Sequence, residues 1–400
     1  MSRIGVYGGS FNPPHCGHVL GALEMIRLLQ LDLLYIIPAG IPPHKILPEG
    51  SPSAEERLEL TRLAFAEIPN AVVSDTELRR PGPSYTVDTL EELHAKHPED
   101  ALYLIMGTDM LLSFSQWRSP ERIASLAALA VMQRSDMGKK QKEALKAAIA
   151  SLQLEFSARI VKADNQCLEI SSTQVRCLIA LDCWQGILPQ PVRDRIWEKK
   201  LYRSGIDWHD LSYEELRAAS LSLHDPKRVP HAIGCSESAA ELAWRYGADV
   251  ELAKRAGILH DVTKQFGPAA HLCVCDRYGE TLSTEERSHA KLLHARTGAV
   301  VAREVFGECP EVCNAIRWHT TGHKDMTLLE KIVYLADYIE PNRTIANVDR
   351  LRQLASQDLD AAVLAGIEMT LEHLRSKGKD VDRNSMEAWV SLSKSREETL

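Results

Sequence analysis

Short, almost unbroken apolar runs alternate with amphipathic stretches through the first half of the chain. RIGVYGG, LDLLYIIP, AVVSDTEL, ALYLIMGTD and LAVMQRS are separated by segments such as SAEERLELTRLAFAEI. Runs this uniformly apolar do not suit a sheet with one wet face. They predict strands covered on both sides, and hence a doubly wound, Rossmann-like parallel α/β sheet whose ligands sit at the carboxyl ends of the strands. Ser53, with Glu56 three residues on, marks a helix start between two of them. The Lys/Ala-rich segment Lys139–Ala150 predicts an exposed helix. After Trp197 the pattern changes. EKKLYRSGIDWHDLS is polar and weakly periodic, and from Tyr213 onward the chain reads as helix with no strand signal: SESAAELAWRYG, DVELAKRAGILHDVTK, HARTGAVVAREVFG, LLEKIVYLADYIE, DLDAAVLAGIEMTLEHLRSKG. The predicted organisation is an α/β domain over 1–203, a linker over 204–212 and an all-α domain over 213–400.

Composition adds exclusions. At 400 residues the chain is long for a single core, which supports two domains. A mean hydropathy of -0.21 and no run of eighteen apolar residues argue against a membrane span. The opening MSRIGVYGG lacks the apolar stretch of a signal peptide. Nine scattered cysteines suit free thiols in a reducing cytoplasm, so a cytoplasmic location is expected. A net charge of -8 argues against a general nucleic-acid binder while allowing a local basic pocket for a nucleotide. Assembly into a homo-oligomer stays open. The histidines are uneven, five in residues 1–203 and ten in the rest.

The first candidate chemistry lies in GVYGGSFNPPHCGHVL, residues 5–20. A strand feeding Gly8-Gly9 lets the backbone approach an anion closely, and His15 and His18 follow at the start of a predicted helix. Far downstream, ISSTQVR (residues 170–176) places Ser172 and Thr173 where they can cap a helix and bond phosphate, with Arg176 one turn on.

Together these stretches resemble the signatures of the nucleotidylyltransferase superfamily. PAGIPPHK, DTELRRPGPSYTVDTL and MGTDMLLSFSQW narrow the resemblance to bacterial nicotinate mononucleotide adenylyltransferases, over residues 1–200. The resemblance implies transfer of AMP from ATP to nicotinate mononucleotide, giving deamido-NAD and pyrophosphate in NAD biosynthesis. It assigns Gly8, Gly9, Ser10, Phe11, His15, His18, Gly107, Asp109, Ser172, Thr173 and Arg176 to the ATP site. Asn12, His44, Lys45, Ser84, Tyr85, Thr86 and Trp117 fall to the mononucleotide, with Trp117 against the pyridine ring. Asn12 stands where the family often carries aspartate. His15, His18, Lys45 and Arg176 then act as donors and fixed charges in an in-line displacement, and Mg²⁺ arrives with ATP. A different acceptor, phosphopantetheine or the amidated mononucleotide, is the rival, and the PPHK and SYT segments argue against it.

The second constellation is helical. His231 in VPHAIG, His260 and Asp261 in GILHDVTK, His294 in KLLHARTG, His319 in RWHTTGH and Asp337 in YLADYIEPNR supply four imidazoles and two carboxylates, ligand types suited to two divalent metals side by side. The order H…HD…H…H…D resembles the HD-domain metal-dependent phosphohydrolases. AGILHDVTK, IRWHTTG and LLEKIVYLADYIEPNR narrow this to the bacterial symmetrical diadenosine tetraphosphate hydrolases, over residues 213–395. That resemblance implies a dinuclear centre of iron, with manganese as the alternative, and cleavage of diadenosine tetraphosphate into two ADP. Lys264 and Arg343 are candidate phosphate contacts, and His289 and His323 are assigned as non-ligands. The whole chain then reads as a bifunctional enzyme. The rival reading makes the helical domain a nucleotide-binding regulatory module, or a hydrolase of another phosphorylated nucleotide.

Overall fold

A computed structural model of the chain describes residues 1–43, 47, 50–133, 139–165, 170–204, 208–282, 286–287, 292–344, 347–378 and 380–397. The chain divides into two compact units, Met1–Arg176 with Trp184–Gly205, and Cys177–Cys183 with Ile206–Leu400.

The first unit is built on six strands: β1 (Arg3–Gly9), β2 (Leu33–Pro38), β3 (Ala71–Val73), β4 (Ala101–Gly107), β5 (Ala127–Met132) and β6 (Ile160–Ala163). All neighbours are parallel, in the order β3-β2-β1-β4-β5-β6. The apolar runs are explained by burial on both faces: Ile4, Leu34, Ile36, Ile37 and Leu129 are at most 1% exposed. The chain winds away from β1 toward β2 and β3, then returns to pair β4 on the other side of β1. Connections therefore leave β1 and β4 in opposite directions, and the crevice at their carboxyl ends lies beside Gly8, Gly9 and Gly107.

Two features depart from the sequence reading. The run AVVSDTEL yields only the three-residue β3, because Thr76–Arg79 turns into helix. The sixth strand has no apolar run to announce it: β6 is an edge strand with an exposed Lys162, where a charged residue is tolerated and blocks further pairing. Ser53 and Glu56 do form a reciprocal cap on the helix Ala54–Phe65, each side chain bonded to the other's main-chain N–H at 3.1 and 2.9 Å.

The second unit is helical, with no strand among its described residues. Four of its described helices start on side-chain caps, Ser212 with Glu215, Asp249, Thr327 with Glu330, and Asp358. Leu335, Ala336, Val363 and Ile367 pack in its core, all at most 1% exposed. Of the predicted linker, residues 205–207 lie outside the described residues. Trp208 is only 5% exposed and meets the Phe306 ring edge-on at 5.3 Å, so this end of the segment is anchored in the helical unit. No described helix is long and apolar enough to cross a membrane. Cys16, Cys177, Cys183, Cys235, Cys273, Cys275, Cys309 and Cys313 are free thiols.

Candidate functional sites

At the carboxyl end of β1 the chain turns through Phe11, whose φ of 42° is left-handed, and enters the helix Cys16–Leu29 with His15 as its N-cap. A Cβ on Gly8 would meet only the Ile37 carbonyl oxygen at 4.0 Å, and one on Gly107 nothing within 4 Å. Both backbones therefore face open space. The His15 and His18 rings lie close, centroids 3.7 Å apart and planes tilted by 32°, and the Phe11 ring meets His18 edge-on at 5.0 Å. The His15 main-chain N–H donates to His18 Nδ1 at 3.2 Å, which leaves the ring proton of a neutral His18 on Nε2. His15 is 3% exposed; burial first, and then the neighbouring His18, hold its imidazole well below the ordinary value. It is neutral at physiological pH.

The downstream signature reaches the same turn. Ser172 Oγ donates to the Pro13 carbonyl at 3.0 Å, and Arg176 Nη1 to the Asn12 carbonyl at 2.9 Å, with Arg176 Nη2 on Thr173 Oγ1 at 3.2 Å. The helix Ser172–Ala180 is capped by Ser171 rather than by Ser172 or Thr173: Ser171 exchanges hydrogen bonds with Gln174, Oγ to N–H at 3.3 Å and N–H to Oε1 at 2.6 Å. The reason is register. Ser172 and Thr173 already have helical backbone, so their hydroxyls turn sideways to Pro13 and Arg176.

Around the segment expected to meet the mononucleotide, Ser84 Oγ accepts from the Gly40 N–H at 3.0 Å and the Ser84 N–H donates to the Ile41 carbonyl at 2.9 Å. Thr86 opens the helix Thr86–Lys96, and the Arg118 guanidinium lies over the Tyr85 ring at 4.5 Å. Trp117 is half-buried against Phe114, ring centroids 5.5 Å apart. Asp109 is in the first turn of the helix Thr108–Leu112 that follows β4. Asn12 Nδ2 donates to Ser51 Oγ at 2.8 Å, and Ser10 gives its carbonyl to Arg57 Nη1 at 2.7 Å. His44 and Lys45 lie outside the described residues. The sequence reading did not single out Arg57, although it is 1% exposed and joins Ser10 to Gly40, its Nη2 being 2.9 Å from the Gly40 carbonyl.

In the helical unit the six predicted ligands come together because each sits at a helix end. His231 and His294 lie in the first turns of Val229–Tyr246 and Leu293–Glu304. His260 and His319 are the C-caps of Val250–Leu259 and Pro310–Trp318, and Asp337 lies in the last turn of Leu328–Ile339. All are at most 9% exposed. Asp261 divides the cluster. Its Oδ2 is 3.4 Å from His231 Nε2 and 3.5 Å from His260 Nε2, which face Asp337 Oδ1 at 3.2 and 3.7 Å. Its Oδ1 is 3.3 Å from His294 Nε2 and 3.6 Å from His319 Nε2.

The far nitrogens are fixed. His260 and His319 turn Nδ1 to the carbonyls of Gly257 and Ile316, both at 2.7 Å, and His231 Nδ1 is 3.0 Å from Glu340 Oε1. These bonds orient Nε2 inward, as metal-binding imidazoles require. Asp261 Oδ1 is buried yet accepts no hydrogen bond. Burial works to raise both carboxyls, but the facing imidazoles hold Asp261 well below the usual carboxylate range, and His231, His260 and Arg343 do so for Asp337. The donor set and spacing therefore fit two divalent ions sharing Asp261: His231, His260 and Asp337 would complete one, His294 and His319 the other.

Cations line the cluster. Arg228 pairs with Asp261 and Arg343 with Asp337, while Lys264 Nζ is 3.5 Å from Asp261 Oδ1 and 2.8 Å from His294 Nε2. Thr320 Oγ1 is 3.2 and 3.1 Å from His294 Nε2 and His319 Nε2. His323 bonds Glu330 Oε2 at 3.0 Å, apart from the ligands; His289 lies outside the described residues. Arg228 and Glu340 were not singled out from the sequence. Each stands three residues from a predicted ligand, Arg228 as the N-cap of the helix carrying His231 and Glu340 as the C-cap of the helix carrying Asp337, and that spacing is the signal that could have found them.

Comparison with known proteins separates the halves in the same way. The family described as cytidylyltransferase-like matches residues 6–178, and the HD domain matches residues 228–342. A "Probable nicotinate-nucleotide adenylyltransferase" of Citrifermentans bemidjiense is 40% identical over 220 residues, which is 50% of this chain and 98% of that protein. One of the same name from Carboxydothermus hydrogenoformans is 36% identical over 203 residues, again 50% of this chain and 98% of the relative. Among solved structures, a predicted HD superfamily hydrolase involved in NAD metabolism, from Clostridium acetobutylicum, is 36% identical, covering 46% of this chain and 98% of that one with a TM-score of 0.45. With the strand order, the glycine-lined crevice and the joined signatures in place, the chain belongs, through its first half, to the family of the nicotinate-nucleotide adenylyltransferases, and its second half is an HD domain.

Proposed function

We propose that the first unit transfers AMP from ATP to nicotinate mononucleotide, and that the HD domain hydrolyses diadenosine tetraphosphate to two ADP. The transfer reading is carried by one arrangement: His15 and His18 at the open crevice, with Ser172 and Arg176 bonded to the same turn and Thr173 bonded to Arg176. The triphosphate lies along Gly8–Phe11 and the start of the helix Cys16–Leu29, where His18 Nε2–H donates to its oxygens and the helix dipole favours negative charge. Gly107, Asp109, Thr173 and Arg176 complete the ATP side. Asn12, His44, Lys45, Ser84, Tyr85, Thr86 and Trp117 hold the mononucleotide. Its phosphate attacks the α-phosphorus in line and pyrophosphate leaves; Mg²⁺ bound to ATP would neutralise charge on the phosphates. The protein contributes position and donors rather than a nucleophile.

The hydrolase reading rests on the shared carboxylate of Asp261 between two imidazole pairs. Two ions of iron or manganese, held by His231, His260, Asp261, His294, His319 and Asp337, would lower the pKa of water and stabilise charge at phosphorus. Lys264, Arg228 and Arg343, which pair with Asp261 and Asp337, would bind phosphate oxygens, and Thr320 orders the His294–His319 side.

Metal analysis of the purified protein, with assays of both reactions, tests the pair of activities. AMP transfer with nicotinate but not nicotinamide mononucleotide, and ADP from diadenosine tetraphosphate with the metals occupied, is the expected result. Intact tetraphosphate with full metal occupancy would overturn the second activity.

A further inference from the structure

The mononucleotide segment is tied to the loop after β2 by a carboxylate that no step of the transfer uses. Glu77 is 7% exposed. Its Oε1 accepts from Thr89 Oγ1 at 2.8 Å, and the Ser84 hydroxyl faces the same carboxylate. Each hydroxyl is already an acceptor, Thr89 from Arg80 and Ser84 from the Gly40 N–H. Thr89 donates its own proton to Glu77, with the Tyr85 carbonyl a longer alternative at 3.5 Å, and the Ser84 proton is left for the carboxylate it faces. The Gly40 carbonyl is held by Arg57, which also holds Ser10 in the turn after β1. A Cβ on Gly40 would stand 2.9 Å from the Glu77 carbonyl oxygen, so the two segments touch backbone to backbone. One directed network thus runs from the phosphate turn through Arg57 and Gly40 to Ser84, and ends on Glu77.

We propose that Glu77 is a positioning residue of the adenylyl transfer: as common acceptor of Ser84 and Thr89, it fixes the acceptor segment relative to the ATP side. The inference rests on reading Ser84–Thr86 as the mononucleotide segment. The groups facing Glu77 are Arg80 at 4.0 Å, Asp88, Thr89 and Ser84. Burial pushes its carboxyl up to about 7; the Thr89 and Ser84 hydrogen bonds and Arg80 pull the other way, and Asp88 adds to the rise. Once protonated, Glu77 offers Ser84 and Thr89 a neutral and weaker acceptor in place of a charged one. Mononucleotide binding therefore weakens as pH falls through the neutral range.

The test compares wild type with Glu77→Gln, measuring KM for both substrates and kcat from about pH 6 to 8, with the mononucleotide dissociation constant by calorimetry. Glu77→Gln should raise KM and Kd for nicotinate mononucleotide about tenfold, roughly one lost hydrogen bond. It should leave KM for ATP and kcat within about twofold, and flatten the part of the pH dependence that wild type shows beyond titration of the ligand phosphate. Thr89→Val should move KM the same way and Thr89→Ser should restore it. An unchanged Kd in Glu77→Gln overturns the inference, as does a parallel rise in both KM values with a lowered melting temperature. Absence of AMP transfer by wild type that still binds the mononucleotide overturns the functional reading instead.

Discussion

Glu340 sits behind His231, its Oε1 3.0 Å from His231 Nδ1, and so turns the opposite nitrogen toward Asp261 and Asp337. Gly234 makes room for it, since a Cβ there would lie 2.5 Å from Glu340 Oε2. Glu340→Gln should lower metal affinity by roughly 10- to 100-fold, the usual cost of a lost carboxylate behind an imidazole ligand. Chelator competition followed by metal analysis measures this, and adenylyl transfer serves as the internal control. Unchanged retention would mean that the helix ends alone orient His231.

Among the described residues, Asp261 is the one carboxylate that both imidazole pairs face. Asp261→Asn should therefore empty both metal positions, whereas His294→Ala should spare the position completed by His231, His260 and Asp337. Metal stoichiometry distinguishes them. Both variants, and His260→Ala, should lose hydrolysis by roughly 100-fold or more while transferring AMP at wild-type rates. A changed transfer rate would favour the regulatory reading of the HD domain.

Gly8 and Gly5 lie on one strand but face different surroundings. A Cβ at Gly5 would meet Leu31 Cδ1 at 2.6 Å and Leu34 Cδ1 at 2.7 Å, inside the core. Gly5→Ala should cost about 1–3 kcal/mol of stability through overpacking. Gly8→Ala meets open space, so its melting temperature should match wild type while KM for ATP rises about tenfold, because the methyl occupies the phosphate approach. A Gly8→Ala variant with normal KM would move the triphosphate away from this turn.

Acid should destabilise the helical unit. Burial pushes His224 down to about 4 and His271 to about 3, from an ordinary value of 6.5. The unfolded chain takes up these protons first, so stability is complete above about pH 6.5 and declines as pH falls toward 4. Each buried imidazole should cost about 2 kcal/mol by pH 5. Denaturant titrations at several pH values should show the decline, and His271→Asn should make it shallower. A flat profile between pH 7 and 5 would contradict the burial argument.

Local chemistry wrote much of this protein into its sequence. Uniformly apolar runs exist because β1, β2, β4 and β5 are covered on both faces, and caps such as Ser53 with Glu56 or Thr327 with Glu330 work within three residues. The six predicted ligands could be picked out because the order H…HD…H…H…D along the chain is distinctive, and folding brings them together. β6 was not legible, since an edge strand needs no apolar run; nor was Ser171 as a cap, since Ser171, Ser172 and Thr173 are equivalent until the register is set.

Tertiary structure alone decided which groups share a partner. That Asp261 offers one oxygen to each imidazole pair depends on how five helix ends converge, and the spacing of residues 231–337 does not contain it. Arg57 and Glu77 are ordinary charged residues in amphipathic sequence. Only folding removes them from water and forces each to satisfy backbone or hydroxyl groups from distant segments, because a buried charge without such partners would be too costly to keep.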